Sequence, residues 1–315
     1  MIQTYGFSIV GSSHLKNGVK CQDANKTIKL ENNITIAAVA DGVGSCKYAD
    51  VASSIAVDVS VRVCSDEIKA NHSCDLLNVI EKAFTQAEIE IDKRSLSENH
   101  MITDYDTTLS LVIYDGKHIT YGHSGDGGII GLTTHGDYVK MTYPQKSDDG
   151  GVIPLRRIWE NTWVIGRAEE EFASVLLATD GVYDVLFPYL LKGQPIQVYV
   201  PLIRCFMDNT ILKVSDENID SVSQELEIYL NSDACAAITD DKTVLVLING
   251  DIQPKTKENS YYAEPDWDAL KLEWDKKAYP HLYPKKDDSR AKDNIADLSI
   301  EGSVQDKPFP PPQIW

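Results

Sequence analysis

An aspartate stands at the end or the start of an apolar run in five separate stretches of the sequence. In VADGVGS (39–45) the small apolar run from Ile36 to Ala40 stops at Asp41-Gly42, and in VLLATDGVYDVL (175–186) a similar run stops at Asp180-Gly181. YGHSGDGGIIGL (121–132) sets Asp126-Gly127 between two strand-like runs, as a hairpin turn would. AAITDDKTVLVLI (236–248) puts Asp240 and Asp241 directly before a strong strand, and CQDANKTIKL puts Asp23 just ahead of another. Asp-Gly is among the strongest turn dipeptides, so any one of these stretches reads first as a turn. Five acidic sites at strand ends read differently, because carboxylates from several strands can converge on one sheet edge, where glycine lets backbone and cation approach. Hard divalent cations such as Mg²⁺ and Mn²⁺ take octahedral oxygen donors, not thiol or imidazole. Two such ions about 3.5–4 Å apart suit in-line displacement at phosphorus.

The elements that would position these acids follow from periodicity. Alternating or apolar runs bounded by turn residues predict strands near 5–10, 24–30, 34–40, 107–114, 118–124, 127–132, 174–179 and 242–249. Helical periodicity covers about 48–70, 74–95, 195–208 and 215–230. In the first of these, Val51, Ile55, Val59 and Val63 form one i, i+4 stripe, most simply packed on a sheet. Strands and helices come in blocks, which favours an α+β layered sandwich over a doubly wound parallel sheet.

Composition bounds the function classes. With 43% hydrophobic and 25% charged residues, the 315-residue chain has the balance of a soluble globular protein, long enough for one large domain or two ordinary ones. No apolar stretch approaches the roughly 18 residues of a membrane span, and MIQTYGFSIVGSS lacks the basic start and apolar core of a signal peptide. Six cysteines without a CxxC pair point to reduced thiols and a cytoplasmic location, and away from structural zinc. A formal net charge of −18 repels nucleic acid and anionic lipid, so neither nucleic acid nor membrane is expected as a partner.

The ordered motifs resemble the metal-dependent Ser/Thr protein phosphatases of type 2C (PPM), most closely their bacterial branch. The likeness spans about residues 5–249 and rests on GSSHLKNGVKCQDA (11–24), VADGVGS (39–45), DTTLSLVI (106–113), GHSGDGG (122–128), LLATDG (176–181) and DDKTVLVLI (240–248). Each motif is weak alone, and their order and spacing carry the signal. The resemblance implies a four-layer αββα sandwich, two antiparallel β-sheets flanked by helix pairs. It implies a Mg²⁺- or Mn²⁺-dependent hydrolase of phosphoserine and phosphothreonine in proteins, acting through cation-activated water with two catalytic ions and a third, weaker one.

By the same resemblance Asp41 bridges both catalytic ions and Gly42 offers its carbonyl to one. Asp180 and Asp241 complete the ligands of the other ion, Asp23 steadies water, and Asp126 holds the third ion. Thr107 and Thr108 support the strand layer beside the site. A protein nucleophile is not required, in keeping with the lack of a Cys-x5-Arg loop, a GxSxG elbow or a Walker glycine loop.

Three positions depart from the family pattern. Gly18 stands where many members carry a phosphate-gripping arginine, leaving His14 or Lys16 to take the phosphate role. Val43 replaces the histidine that eukaryotic members offer as general acid, and Lys242, read as pointing to solvent, follows the last ligand aspartate in place of Asn. Lys242 and the missing arginine keep open a pseudophosphatase binding module, and a metal-dependent phosphoesterase for a small molecule is a second alternative. Cys46 reads as a small filler residue, since aspartates do not stabilise a thiolate. His118, His123 and His135 read as strand or turn residues. The variable flap (134–167) carries Arg156 and Arg157, which could meet a phosphoprotein.

A composition change near 250 divides the chain into a catalytic domain, 1–250, and a Pro- and aromatic-rich charged tail, 251–315. Eight of the 13 prolines lie in that tail, too many for helix interiors or central strands. Its Tyr261, Tyr262, Trp267, Leu270, Leu272, Trp274, Tyr279 and Tyr283 are too apolar for a solvated linker, so 260–284 is expected to dock on the catalytic body or on a partner such as a Ser/Thr kinase. KPFPPPQIW at the end resembles a polyproline II peptide with Trp315 as its anchor.

Overall fold

The computed structural model describes residues 1–156 and 162–283. Arg157 and the KPFPPPQIW stretch, both singled out above, lie outside the described residues. The strands are β1 (Ile2–Ile9), β2 (Ala24–Lys29), β3 (Thr35–Ala40), β4 (Leu109–Tyr114), β5 (Ile119–Ser124), β6 (Gly128–Thr133), β7 (Tyr138–Lys140), β8 (Val164–Arg167), β9 (Phe172–Ala178) and β10 (Lys242–Asn249). The helices are α1 (Ser12–Asn17), α2 (Ala49–Ala70), α3 (Leu76–Ser97), α4 (Asp180–Leu186), α5 (Val200–Met207), α6 (Asn209–Leu212), α7 (Ile219–Leu230) and α8 (Trp267–Ala278). Two five-stranded antiparallel sheets form, in the orders β1-β10-β9-β6-β7 and β2-β3-β4-β5-β8.

Three apolar layers hold the sandwich together. Ala37, Val39, Val112, Ile129, Val175, Leu177, Leu245 and Leu247 meet between the sheets. On β3 the alternate residues Ile36, Ala38 and Ala40 turn the other way, toward α2 and α3. The opposite layer packs Leu176, Val244 and Val246 under α4, α5 and α7. The αββα architecture expected from the resemblance is therefore present.

Several elements differ in detail from what periodicity predicts. The short strands β7 and β8 carry too few residues to show alternation. On α2 the fully buried face is made largely of small residues, Ala49, Ala52, Ser53, Ala56 and Ser60, while Val51, Ile55 and Val63 are only partly covered. Small side chains let this helix lie closer to the sheet than a valine stripe would. Asp126-Gly127 is not a hairpin turn, because β5 and β6 belong to different sheets. Gly125, at φ +128°, makes the crossing, and a side chain there would meet Thr108. Past β10, Tyr261 stacks on Tyr138 (6.3 Å, 8°), Trp267 meets Tyr199 edge-on (5.3 Å) and Tyr199 Oη donates to Glu264 at 2.8 Å.

The seam between α3 and β5 depends on Gly122, where an added Cβ would lie 2.5 Å from Ile80 and 2.6 Å from Phe84. Gly122→Ala is expected to destabilise the fold by about 1–3 kcal/mol through overpacking. Urea unfolding reads this as a lower midpoint with an unchanged m-value.

Candidate metal centre

Strand register explains why distant acids meet. Ala24 pairs with Ala40 across β2 and β3, so Asp23 and Asp41 lie side by side, each one residue beyond the pair. In the other sheet Ala178 pairs with both Gly128 and Val244, which gathers the 126, 180 and 240–241 segments at one end of the sandwich. Carboxylate oxygens of Asp41, Asp126 and Asp180 come within 4.8 Å of one another.

Backbone contacts fix the Asp41 turn. Its N–H donates to Thr108 Oγ1 (2.8 Å), and its carbonyl accepts from Thr108 N (2.7 Å) and Thr107 Oγ1 (2.8 Å). Gly42 follows with its N–H on the Gln22 carbonyl at 3.1 Å. A Cβ on Gly42 would lie 2.6 Å from the Ala49 backbone, so only glycine lets this turn sit against α2. Asp106 accepts Val43 N–H and is gripped by Arg156 Nε and Nη2 at 2.7 and 2.8 Å. Arg156 thus anchors the flap to the turn, in place of the free phosphoprotein contact expected from sequence.

Asp23 accepts from Thr179 Oγ1 at 2.8 Å and reaches the Asp41 carboxyl, while its Oδ1 is buried without a protein partner, as is Gln22 Oε1. Loss of hydration raises the Asp23 carboxyl to about 6, against the pull of its hydrogen bonds. Asp180 is pushed up to about 7, first by the same loss and then by the charges of Asp126, Asp240 and Asp23. Asp41 is raised well above the ordinary carboxylate range by burial and by its neighbours Asp23 and Asp180. Repelling carboxylates, an unpartnered buried oxygen and an all-oxygen donor set fit hard divalent cations.

Residues 10–231 match the sequence model of protein phosphatase 2C. The chain belongs to the protein phosphatase 2C family. No curated protein sequence matches it significantly. Among solved structures it is similar to the Ser/Thr phosphatase Stp1 from Staphylococcus aureus (13% identity, 79% of this chain and 95% of that one, TM-score 0.54). It is also similar to the S. agalactiae serine/threonine phosphatase (15% identity, 79% and 99% covered, TM-score 0.53). The catalytic domain of the phosphatase PstP, solved with two manganese ions, shares 17% identity, with 78% and 97% covered and a TM-score of 0.51. At these identities the likeness establishes the fold.

Not every acid picked out from the sequence of this phosphatase faces the cluster. Asp241 is buried, and both of its oxygens are engaged: Gly11 N–H and Gln22 N–H each lie at 2.6 Å and His14 Nδ1 at 2.9 Å. It ties down the loop that leads to Asp23. Asp240, one residue earlier, is exposed and acts electrostatically on Asp41 and Asp180. Asp240 Oδ1 accepts the Asp241 N–H at 2.8 Å, and nothing in the local sequence pattern tells which of the two acids turns inward. His14 reaches this edge, whereas Lys16 is exposed on α1. Lys242 does not point to solvent. It is 4% exposed, with Nζ 3.3 Å from the Ile238 carbonyl. His123 is buried between Ser110 Oγ and the Gly125 carbonyl, and burial lowers its imidazole to about 4, so it stays neutral. Burial likewise pushes the Cys46 thiol up.

Carboxyls raised from 3.8 to about 6 and 7 take up protons on folding, so their contribution to stability is complete below about pH 4 and is lost as pH rises through 6–7. Mn²⁺ or Mg²⁺ is therefore expected to raise the melting temperature more at pH 7.5 than at pH 5. Thermal scans of chelated and metal-loaded protein at both pH values check this, and an equal or larger gain at pH 5 contradicts it.

Proposed function

We propose that this acidic cluster hydrolyses phosphoserine and phosphothreonine in protein substrates in a Mg²⁺- or Mn²⁺-dependent reaction. The observation that carries the reading is the convergence of Asp41, Asp126 and Asp180 inside a protein phosphatase 2C sandwich. Bound divalent cations supply Lewis-acid activation of water and charge neutralisation at the phosphoryl group. Asp41, Asp180 and the Gly42 carbonyl would hold the two catalytic ions on the strand ends, and Asp126 lies at the outer edge beside that pair. Asp240 takes the ligand role that sequence gives to Asp241, supported by its exposure and its field on Asp41 and Asp180. Asp241 instead positions the loop that carries Asp23 and His14. Asp23 Oδ1, buried and without a partner, accepts a proton from attacking water. His14, seated on Asp241, is the basic side chain at the phosphate edge.

We further infer that 1–250 is the catalytic unit, with 251–283 a segment whose contacts to Tyr138 and Tyr199 support a fixed place on it.

An aryl phosphate and a phosphothreonine peptide are expected to be turned over with Mn²⁺ and spared when it is chelated. Asp41→Asn and Asp180→Asn should each lower kcat by at least about a hundredfold. Both variants should melt no lower than the parent without metal, because each removes a repelled charge. Metal-independent turnover, or none on either substrate, refutes the proposal. Asp240→Asn should weaken Mn²⁺ binding in calorimetry with an unchanged metal-free melting temperature. Asp241→Ala should lower that temperature, since it leaves the Gly11 and Gln22 N–H groups unpaired.

A further inference from the structure

The flap that follows β7 returns to the acid cluster at two consecutive residues. Gln145 clamps the crossing turn on both sides, its N–H donating to the Gly125 carbonyl at 2.8 Å and its Oε1 accepting Gly125 N–H at 3.1 Å. The next residue, Lys146, places Nζ 3.4 Å from Asp126 Oδ2. Lys146 is not on a loose tether. It bridges to Val152, and the turn between them is closed by Ser147 N–H on the Gly151 carbonyl at 2.8 Å and Gly150 N–H on the Ser147 carbonyl at 2.9 Å. Its side chain is 51% exposed and that of Asp126 10% exposed, so the ammonium closes the outer face of a nearly buried carboxylate.

A second acid, Asp184 on α4, feels both Asp126 and Lys146. Lys140 also acts on Asp184, but its ammonium lies over the rings of Phe187 (4.5 Å) and Tyr183 (5.1 Å). Lys146 thus acts on both acids, and its ion pair is with Asp126. Asp126 is the acid to which the family resemblance gives a third, weaker ion, and here a tethered positive charge already faces it. An ammonium at this distance repels a divalent cation from the same carboxylate and, being carried on the chain, competes for it at a high effective concentration.

We propose that the Lys146 ammonium is the resident cation on the outer edge of Asp126, replacing a third divalent ion, so that this chain holds two ions and keeps its flap pinned to the site without another. The inference rests on the metal-centre reading above and concerns how many ions that centre takes. The experiment counts Mn²⁺ bound to the full chain, by calorimetry and by the electron paramagnetic resonance of free Mn²⁺, for the wild type, Lys146→Gln, Lys146→Arg and the double variant Lys146→Gln/Asp126→Asn. Two ions are expected for the wild type and for Lys146→Arg. Lys146→Gln should show a third site that the wild type lacks, at least about tenfold tighter than the weakest binding the wild-type titration detects. The double variant should return to two. A third ion in the wild type, or a Lys146→Gln isotherm superimposable on it, overturns the inference while leaving the two-ion centre intact. A wild type that binds no Mn²⁺ overturns the metal-centre reading and the inference together. Circular dichroism of each variant confirms that the half-exposed substitution leaves the fold in place.

Discussion

Carboxylates forced together where water is scarce raise one another's affinity for protons, and the rest of this molecule is organised around keeping three of them in that position. Asp23 at about 6 and Asp180 at about 7, with Asp41 raised beside them, show that the neighbourhood disfavours their charged forms. Left to side-chain forces alone, such a group would splay apart. It does not, because each acid is fixed through its backbone at the end of a strand. The strands are fixed by apolar layers that lie outside the site. Register does the selecting: a shift of one residue between β2 and β3 would send Asp23 or Asp41 to the opposite face. Hydrophobic packing therefore supplies the free energy that holds an electrostatically unfavourable arrangement ready for cations.

Close approach of backbones makes this arrangement dense. Gly42 lies against the first turn of α2, and a Cβ on Gly181 would fall 2.1 Å from the Asp241 carbonyl oxygen. Adjacent acids then divide the work. Asp241 faces inward and spends its charge on two N–H groups and His14, whereas Asp240 faces outward and adds to the field of the cluster. The same pairing of roles holds at the flap, where Arg156 grips Asp106 behind the Asp41 turn and Lys146 faces Asp126 in front of it.

Much of this was legible in the sequence, for physical reasons. Strong strands such as VLLA and TVLVLI announce themselves by continuous apolar character, and an aspartate directly after or before one must lie at a sheet edge. That logic locates Asp23, Asp41, Asp126 and Asp180, and the order of the motifs identifies the family. What stayed hidden depends on direction and on distance in sequence. One strand position separates an inward Asp241 from an outward Asp240, and alternation cannot say where the strand's first pair lies. A loop between sheets looks like a hairpin turn until the pairing of β5 and β6 with other strands is known. Arg156 and Lys146 sit in a segment without periodicity, so nothing in the local pattern tells which acids they meet. Lys242 shows the opposite error, a charged residue that is buried and whose ammonium finds a carbonyl.

The sign of the field has a consequence for the order of events at the site. A chain with formal net charge −18, in which several acids converge at one end of the sandwich, repels a phosphate dianion. The carboxylates that repel it are the same groups that recruit divalent ions, so productive approach of a phosphoprotein requires that these acids first be neutralised. Lys146, which reaches that rim, is already ion-paired to Asp126. It is therefore placed to trim the negative field locally and cannot reverse it, which leaves metal loading as the event that turns a phosphate-repelling pocket into a phosphate-accepting one.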